Sequence, residues 1–373
     1  MSHIYIHIPF CHSKCPYCDF FSVATKKWHG EFVQALCREA ELRKEEIKGE
    51  VETIYFGGGT PSLLTEPEFS NITTAVNQFF DVAAHAEVTI EANPDDVTPE
   101  KLLFWKSQGV NRLSIGTQSF DDEELQYLGR RHNADRSRQA LKDAVRAGFD
   151  NISADLIHGL PGADPEKLLR SIEELSQSGV KHLSMYSLTV EKGTILENRI
   201  SKGILKNIDE DEQAGTYMRA VEKAEACGFL QYEISNFCLP GFESKHNSAY
   251  WKGAPYLGLG PSAHSFDGQK RSWNVSDIQK YIAGINEQKP LYESETLSER
   301  DIYNEFLLTR LRMVSGILLE EMIQLFGESM TEKFIKEVEE SIIAEYVQIT
   351  EKSLSITRSG LLFADRIISE LMK

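Results

Sequence analysis

Long apolar runs are missing from this chain. No stretch approaches the roughly 20 consecutive apolar residues that a bilayer-spanning helix needs, so no transmembrane segment is expected. Basic charge is short as well: 40 Lys and Arg stand against 57 Asp and Glu, a formal net charge of −17 over 373 residues. A surface that acidic has little hold on nucleic-acid phosphates or anionic lipid headgroups, which argues against both as partners. The first residues, MSHIYIHIPF, lack a basic start and an extended apolar stretch, so no signal peptide is expected. Cysteine is scarce, six in all and unevenly placed, which excludes a disulfide-built scaffold. Repeats and low-complexity tracts are absent too. What remains is ordinary globular material, 41% hydrophobic, long enough for about two domains of a soluble cytoplasmic protein.

The first two-thirds alternates short β-branched runs with longer amphipathic ones. HIYIHIP from His3, TIYFGGG from Thr53, EVTIEANP from Glu87, RLSIGTQSF from Arg112, NISADLIHGLP from Asn151 and HLSMYSL from His182 read as strands. Stretches such as EFVQALCREAELRKEEI and RSRQALKDAVRAGF between them read as helices. Six strand-then-helix units imply a parallel sheet, because parallel neighbours need a helical crossover. Six fall short of the eight that close a full barrel, so the expected fold is α/β, an incomplete (β/α)6 barrel over residues 1–230. Residues 231–296 are rich in Gly, Pro and aromatics and read as a connecting β-rich segment. From Leu297 to Lys373 three helical patterns precede a hairpin, YVQITEKSLSIT, and a last helix, an order that resembles a winged helix. That segment carries nine Lys and Arg against fourteen Asp and Glu, so packing or protein interaction is expected of it rather than DNA binding.

Half of the cysteines sit together. Cys11, Cys15 and Cys18 have C-x3-C-x2-C spacing on the loop that leaves the first strand, which lets one tight loop turn three thiolates onto one centre. Structural zinc wants four closed ligands, and the two nearby donors, His12 and Asp19, each follow a cysteine directly and would have to fold back. A [4Fe–4S] cluster normally takes four cysteines; three leave one iron open to a small molecule. Three thiols that merely pack are the plainer alternative.

C-x3-C-x2-C with Tyr17 just before the last cysteine resembles the radical S-adenosylmethionine superfamily. Over nearly the whole chain the likeness is to the group that contains oxygen-independent coproporphyrinogen oxidase and the HemW heme chaperones. The resemblance implies that S-adenosylmethionine itself chelates the fourth iron through its amino and carboxylate groups.

The other unusual residues fall at strand ends, where parallel α/β folds bind ligands. FGGGTPS ends the second strand without the Gly-Lys-Ser/Thr of a phosphate loop; it reads as a tight turn or as a backbone cradle for a ligand. Glu91, Gln118 and Asp155 close the third, fourth and fifth strands, and Arg130 follows in the next helical segment. Carboxylates, an amide and a guanidinium suit a zwitterionic, ribose-bearing ligand. By resemblance Tyr5, Gly58, Gly59, Thr60, Glu91, Gln118, Arg130 and Asp155 match positions that contact S-adenosylmethionine. GLGPSA from Gly258 fits a dinucleotide-binding pattern only superficially, having no helix-opening context.

Two branches share these features. The oxidase branch resembles a pattern with a fourth cysteine two positions after the third, and here that residue is Phe20. HNSAYW, from His246 to Trp251, resembles the heme-binding signature of the chaperone branch. That likeness implies His246 as a heme ligand, with Tyr250 and Trp251 packing on the porphyrin. His264 is a second candidate imidazole, at a position resembling an S-adenosylmethionine contact of the oxidases. Cys37, Cys227 and Cys238 read as ordinary thiols, Cys238 being the one placed for heme attachment. The expectation is a heme chaperone holding a [4Fe–4S] cluster, S-adenosylmethionine and heme, and delivering heme to an acceptor heme protein. No catalytic residue is assigned, and a radical decarboxylase of coproporphyrinogen III is the alternative.

Overall fold

Ile4, Ile6 and Ile8 are fully buried along Ser2–Ile8 (β1), and the alternation of a strand turns His3, Tyr5 and His7 to its opposite face. In this computed structural model, which describes residues 2–25, 27–290, 292–341 and 344–373, five more strands follow in parallel. They are Val51–Gly58 (β2), Val82–Ala92 (β3), Arg112–Gln118 (β4), Asn151–His158 (β5) and His182–Ser187 (β6), side by side in chain order. The crossover helices start on strong local signals. Thr65 forms a capping box with Glu68, while Thr98, Asn133 and Asp164 cap the helices Pro99–Ser107, Ala134–Arg146 and Pro165–Ser176. Their apolar stripes meet the outward residues of the strands in one core containing Phe32, Phe69, Trp105, Leu141 and Ile172.

The segment expected to connect two domains is built into the barrel sheet instead. Leu230–Gln231 (β7) and Asn236–Cys238 (β8) extend the β6 edge antiparallel. Tyr256–Leu259 (β9) pairs in parallel with β1, and His264–Phe266 (β10), Lys270–Asn274 (β11) and Tyr292–Thr296 (β12) continue from it antiparallel. The result is a twelve-stranded sheet ordered β12-β11-β10-β9-β1-β2-β3-β4-β5-β6-β8-β7. Among the described residues its ends, β12 and β7, are not paired with each other, so the barrel stays open. The outer strand β12, YESET, is exposed throughout and carries two glutamates, which discourages pairing with another chain. GLGPSA lies at this seam: a side chain at Gly258 would strike the His264 carbonyl, and one at Gly260 the His7 carbonyl. Its glycines serve close strand approach, not a nucleotide.

Residues after Leu297 have their own core of Tyr303, Phe306, Leu307, Met322, Phe334 and Leu354. Helices Glu299–Arg310, Leu319–Phe326 and Glu328–Glu339 pack with a three-stranded sheet of Ile317–Leu318 (β13), Val347–Ile349 (β14) and Ser353–Ile356 (β15), and with the helix Ala364–Leu371. The third helical pattern read from the sequence runs on through residues 342 and 343, which lie outside the described residues. This unit is tied to the barrel by backbone bonds from Ile234 to Arg312 and from Val314 to Tyr232.

One buried carboxylate fastens the added strands. Glu39, fully buried in the helix His29–Leu42, accepts hydrogen bonds from the Gly260 amide (2.8 Å), Asn274 (2.7 Å), Tyr281 (2.7 Å) and Arg43 (3.1 Å). Arg43 in turn donates to the Gly258 carbonyl and the Ser265 hydroxyl. Replacing Glu39 with Ala removes one carboxylate partner of the buried Arg43, which keeps Glu46, and takes an acceptor from the Gly260 amide, Asn274 and Tyr281. Urea titration should report a loss of about 3–5 kcal/mol, and Glu39→Gln, which keeps one acceptor oxygen, a smaller one.

Candidate functional site

The period-two alternation that buries the isoleucines lines the barrel interior with polar side chains. Across the strands Tyr5 lies in register with Tyr55, Glu91 with Ser114, and Asp155 with Ser184. Tyr55 donates to Glu91 (2.9 Å), and Ser114 donates to Asp155 (3.1 Å). Burial pushes the Glu91 carboxyl up to about 7 and that of Asp155 to about 6; Tyr55 holds Glu91 back from rising further, and Ser114 and Ser184 do so for Asp155. Arg112, almost fully buried on β4, lowers both by its charge, and its Nε has no partner among the described residues. Two carboxylates and an orphaned guanidinium nitrogen leave this layer short of both cationic and anionic partners, as a zwitterionic ligand would require.

The cysteine loop lies over the strand ends. Its start is held by paired backbone bonds between residues 9–11 and Val23, and its middle by the bond from Leu196 to the Pro16 carbonyl. Cys11, Cys15 and Cys18 are partly exposed and line the cavity. Thr60 donates to the Cys11 sulfur at 3.5 Å, and Arg130 to the Cys15 sulfur at 3.7 Å while also holding the Gly116 carbonyl. Such donors favour thiolate and cluster sulfur. Among the described residues no three His, Cys, Asp or Glu side chains converge as ligands of a single ion. Three soft donors on one loop, each able to take a different iron, fit a cubane better than zinc.

The glycine turn has a double role. Gly58 has φ +105°, and a side chain there would strike the His7 ring at 2.6 Å; one at Gly59 would strike the Phe10 carbonyl at 2.7 Å. Gly58 makes room for the His7 ring of β1, and Gly59 for the backbone that leaves β1 toward the cysteines, whatever they also cradle. Gln118 adopts φ +63°, a strained conformation for a non-glycine residue, in the cavity wall. Tyr5, Thr60, Glu91, Gln118, Arg130 and Asp155 therefore share one cavity with the three cysteines. The sequence reading missed Tyr55, Ser114 and Arg112. Their signal was the alternation itself: Arg112, Ser114, Gly116 and Gln118 share one face of β4, and a basic residue opening a central strand is unusual.

The HNSAYW stretch forms the helix Lys245–Trp251, capped by Ser244, and its N-terminus points amides of Lys245 and His246 at Glu87. His246 is set apart from the aromatic residues of the same stretch. His246 is 1% exposed and is not in the cavity wall. Its Nδ1 is 2.6 Å from Thr53 Oγ1, which also meets His3, and its Nε2 is 3.0 Å from the Tyr250 hydroxyl. Tyr55 stacks on its ring at 5.0 Å. Burial and the neighbouring His3 and Arg112 hold it well below the usual histidine range, so it is neutral with both nitrogens engaged. In this structure both of its ring nitrogens are engaged inside the barrel, and neither faces the cavity. Tyr250 and Trp251, one turn on, do reach the cavity. Arg310 closes the helix, donating to the carbonyls of Trp251 and Lys252 while paired with Glu321. Cys238 is buried within β8 opposite His182, away from any ligand, and Cys37 donates weakly to the Asn71 carbonyl.

The cavity is about 1240 Å³, above the roughly 300–1,000 Å³ of pockets for drug-sized ligands. It runs from the carboxylate layer past the cysteines to an apolar wall of Trp251, Phe266, Ile302, Phe306 and Leu325, the last three from the C-terminal unit.

An open parallel barrel with three cysteines on the loop after its first strand and polar ligands at its strand ends defines a radical S-adenosylmethionine protein. Comparison with known proteins agrees: residues 5–190 match the Radical SAM superfamily and residues 297–363 the HemN C-terminal domain. The chain is 35% identical to the heme chaperone HemW of Bacillus subtilis, covering 100% of this chain and 99% of that one. It is 33% identical to HemW of Escherichia coli, over 98% and 96% respectively. Coproporphyrinogen III oxidase (HemN) of Escherichia coli, described as a radical SAM enzyme, shares the fold with a TM-score of 0.86 over 100% of this chain and 90% of that one, at 22% identity. The chain belongs to the HemW family, whose superfamily implies a [4Fe–4S] cluster and S-adenosylmethionine.

Two measurements test the site. Replacing Cys11, Cys15 or Cys18 with Ala should abolish the cluster's visible absorbance after anaerobic reconstitution, whereas Cys37→Ala should keep it. The raised carboxyls set a pH dependence. Glu91 binds a proton in the folded state up to about 7, above its unfolded value of 4.5, so the folded protein holds more protons across that window. Ligand-free stability should therefore fall as pH rises from about 4.5 to about 7 and level off above it. Melting curves of Glu91→Gln should lose much of that slope.

Proposed function

We propose that this protein is a cytoplasmic heme chaperone that binds a [4Fe–4S] cluster and S-adenosylmethionine and delivers heme to an acceptor heme protein. The observation that carries this reading is the full-length likeness, at 33–35% identity, to proteins named heme chaperone HemW. The shape of the cavity supports it, because an apolar annex beyond the strand ends has room for a large flat ligand beside a small zwitterionic one. In this reading Cys11, Cys15 and Cys18 hold the cluster, and the bound cluster supplies an open iron and a source of one electron. Tyr5, Gly58, Gly59, Thr60, Glu91, Gln118, Arg130 and Asp155 receive S-adenosylmethionine. Its sulfonium suits the Glu91 and Asp155 carboxylates, and its carboxylate suits a guanidinium. Tyr250 and Trp251 offer aromatic faces to the porphyrin.

Phe20, which stands where the oxidase pattern has a cysteine, is 67% exposed at the cavity rim and adds no ligand. Hemin titration of the anaerobically reconstituted protein should give saturable uptake. The same preparation, given coproporphyrinogen III, S-adenosylmethionine and a reductant, should release no carbon dioxide. Absence of hemin uptake, or steady carbon dioxide release, would overturn the chaperone reading.

A further inference from the structure

Three histidines line the cavity: His7, His12 and His264. His7 is buried with its Nε2 2.8 Å from the Phe21 carbonyl and its Nδ1 3.1 Å from the Tyr5 hydroxyl. His12 stands between two cluster cysteines, on the loop committed to the cluster. His264 is different. It lies on β10 in the cavity wall, where partial desolvation and the charge of Arg271 lower its pKa, and neither ring nitrogen has a hydrogen-bond partner among the described residues. Both influences favour neutral imidazole, the form that binds iron.

Its surroundings have the chemistry of a metalloporphyrin seat. In the antiparallel pair β10–β11, His264 lies opposite Trp273 and Phe266 opposite Arg271, so all four project from one face. His264 stacks on Trp273 at 6.0 Å, which fixes the ring's attitude. Phe266 presents an apolar face, and across the cavity stand Phe306 and Ile302 of the C-terminal unit. Arg271 is paired with Glu305, yet its buried Nε has no partner among the described residues. A propionate would supply the missing acceptor.

Resting on the chaperone reading above, we propose that heme takes its axial imidazole from His264, on the β10–β11 face that carries Phe266 and Arg271. His246 is then a positioning residue. Its bonds to Thr53 and Tyr250 lock the Lys245–Trp251 helix into the barrel and so set where Tyr250 and Trp251 meet the porphyrin.

The test uses the full-length reconstituted protein and ferric hemin, read by the Soret band and resonance Raman. His264→Gly should lose the imidazole-ligated spectrum and regain it on adding free imidazole, which fills the vacated space. Its iron and sulfide content should stay at the wild-type level. His246→Gln should keep the position of the Soret band while its melting temperature falls, because the deep bonds of the helix are weakened. The proposal is overturned if His264→Gly keeps the wild-type spectrum, or if His12→Ala or a folded His246→Gln is the variant that loses it. Loss of S-adenosylmethionine binding in His264→Gly with an unchanged hemin spectrum would likewise overturn it, in favour of a cosubstrate contact. Failure of the chaperone reading is seen separately, in wild type that takes up no hemin before any variant is made.

Discussion

Everything at the mouth of this barrel hangs on the carboxylate of Glu39. A six-stranded parallel sheet exposes the outer edge of its first strand, and the chain covers that edge with β9 only because Glu39 gathers Gly260, Asn274 and Tyr281 onto the first helix. A buried carboxylate with one cationic partner would be weakly favourable at best. With four donors converging, and Arg43 reaching on to the Gly258 carbonyl and Ser265, it specifies one seating for the added strands. The wall that carries His264, Phe266 and Arg271 is thereby fixed relative to the cysteine loop.

The same barrel stores two kinds of polar group at two depths. Near the floor, Thr53 links His3 and His246, and Glu87 accepts from the helix amides of Lys245 and His246. Nearer the mouth, Arg112 keeps an unpartnered Nε, and burial raises the Glu91 and Asp155 carboxyls above their ordinary ionisation. The contrast separates structure from function along one axis. Of the buried polar atoms left without a partner, those of Arg112, Arg130 and Arg271 belong to residues that line the cavity, where a ligand can supply what is missing.

The six parallel strands were legible because each carries a β-branched run of ordinary length between amphipathic helices. The cysteine triad was legible from spacing alone, and the strand-end residues from their recurrence at one end of the sheet. The fate of residues 231–296 was not. Its strands are two to five residues long and interrupted by glycine and proline, so no periodicity develops, and their pairing is decided by a glutamate far back in the chain. The surroundings of His246 were hidden for a related reason. A motif names the residue but not its depth, and the partners that consume both its nitrogens, Thr53 and Tyr250, come from separate elements. Arg112 escaped notice because it opens its strand, at the far end from Gln118, the β4 residue singled out, although the alternation puts both on one face.

The parallel pairing of β9 with β1 also bears on how the molecule is made. His3–Ile6 leave the ribosome well before their neighbours Tyr256–Leu259, which follow about 250 residues later. At roughly 5–20 residues per second that interval is on the order of ten to fifty seconds. Through it the nascent chain has its thiol-bearing loop and a naked strand edge but no far wall to the cavity. Closure over so long a separation is slow in any topology. The polypeptide therefore offers its sulfur ligands to solvent well before it owns a compartment to enclose what they bind.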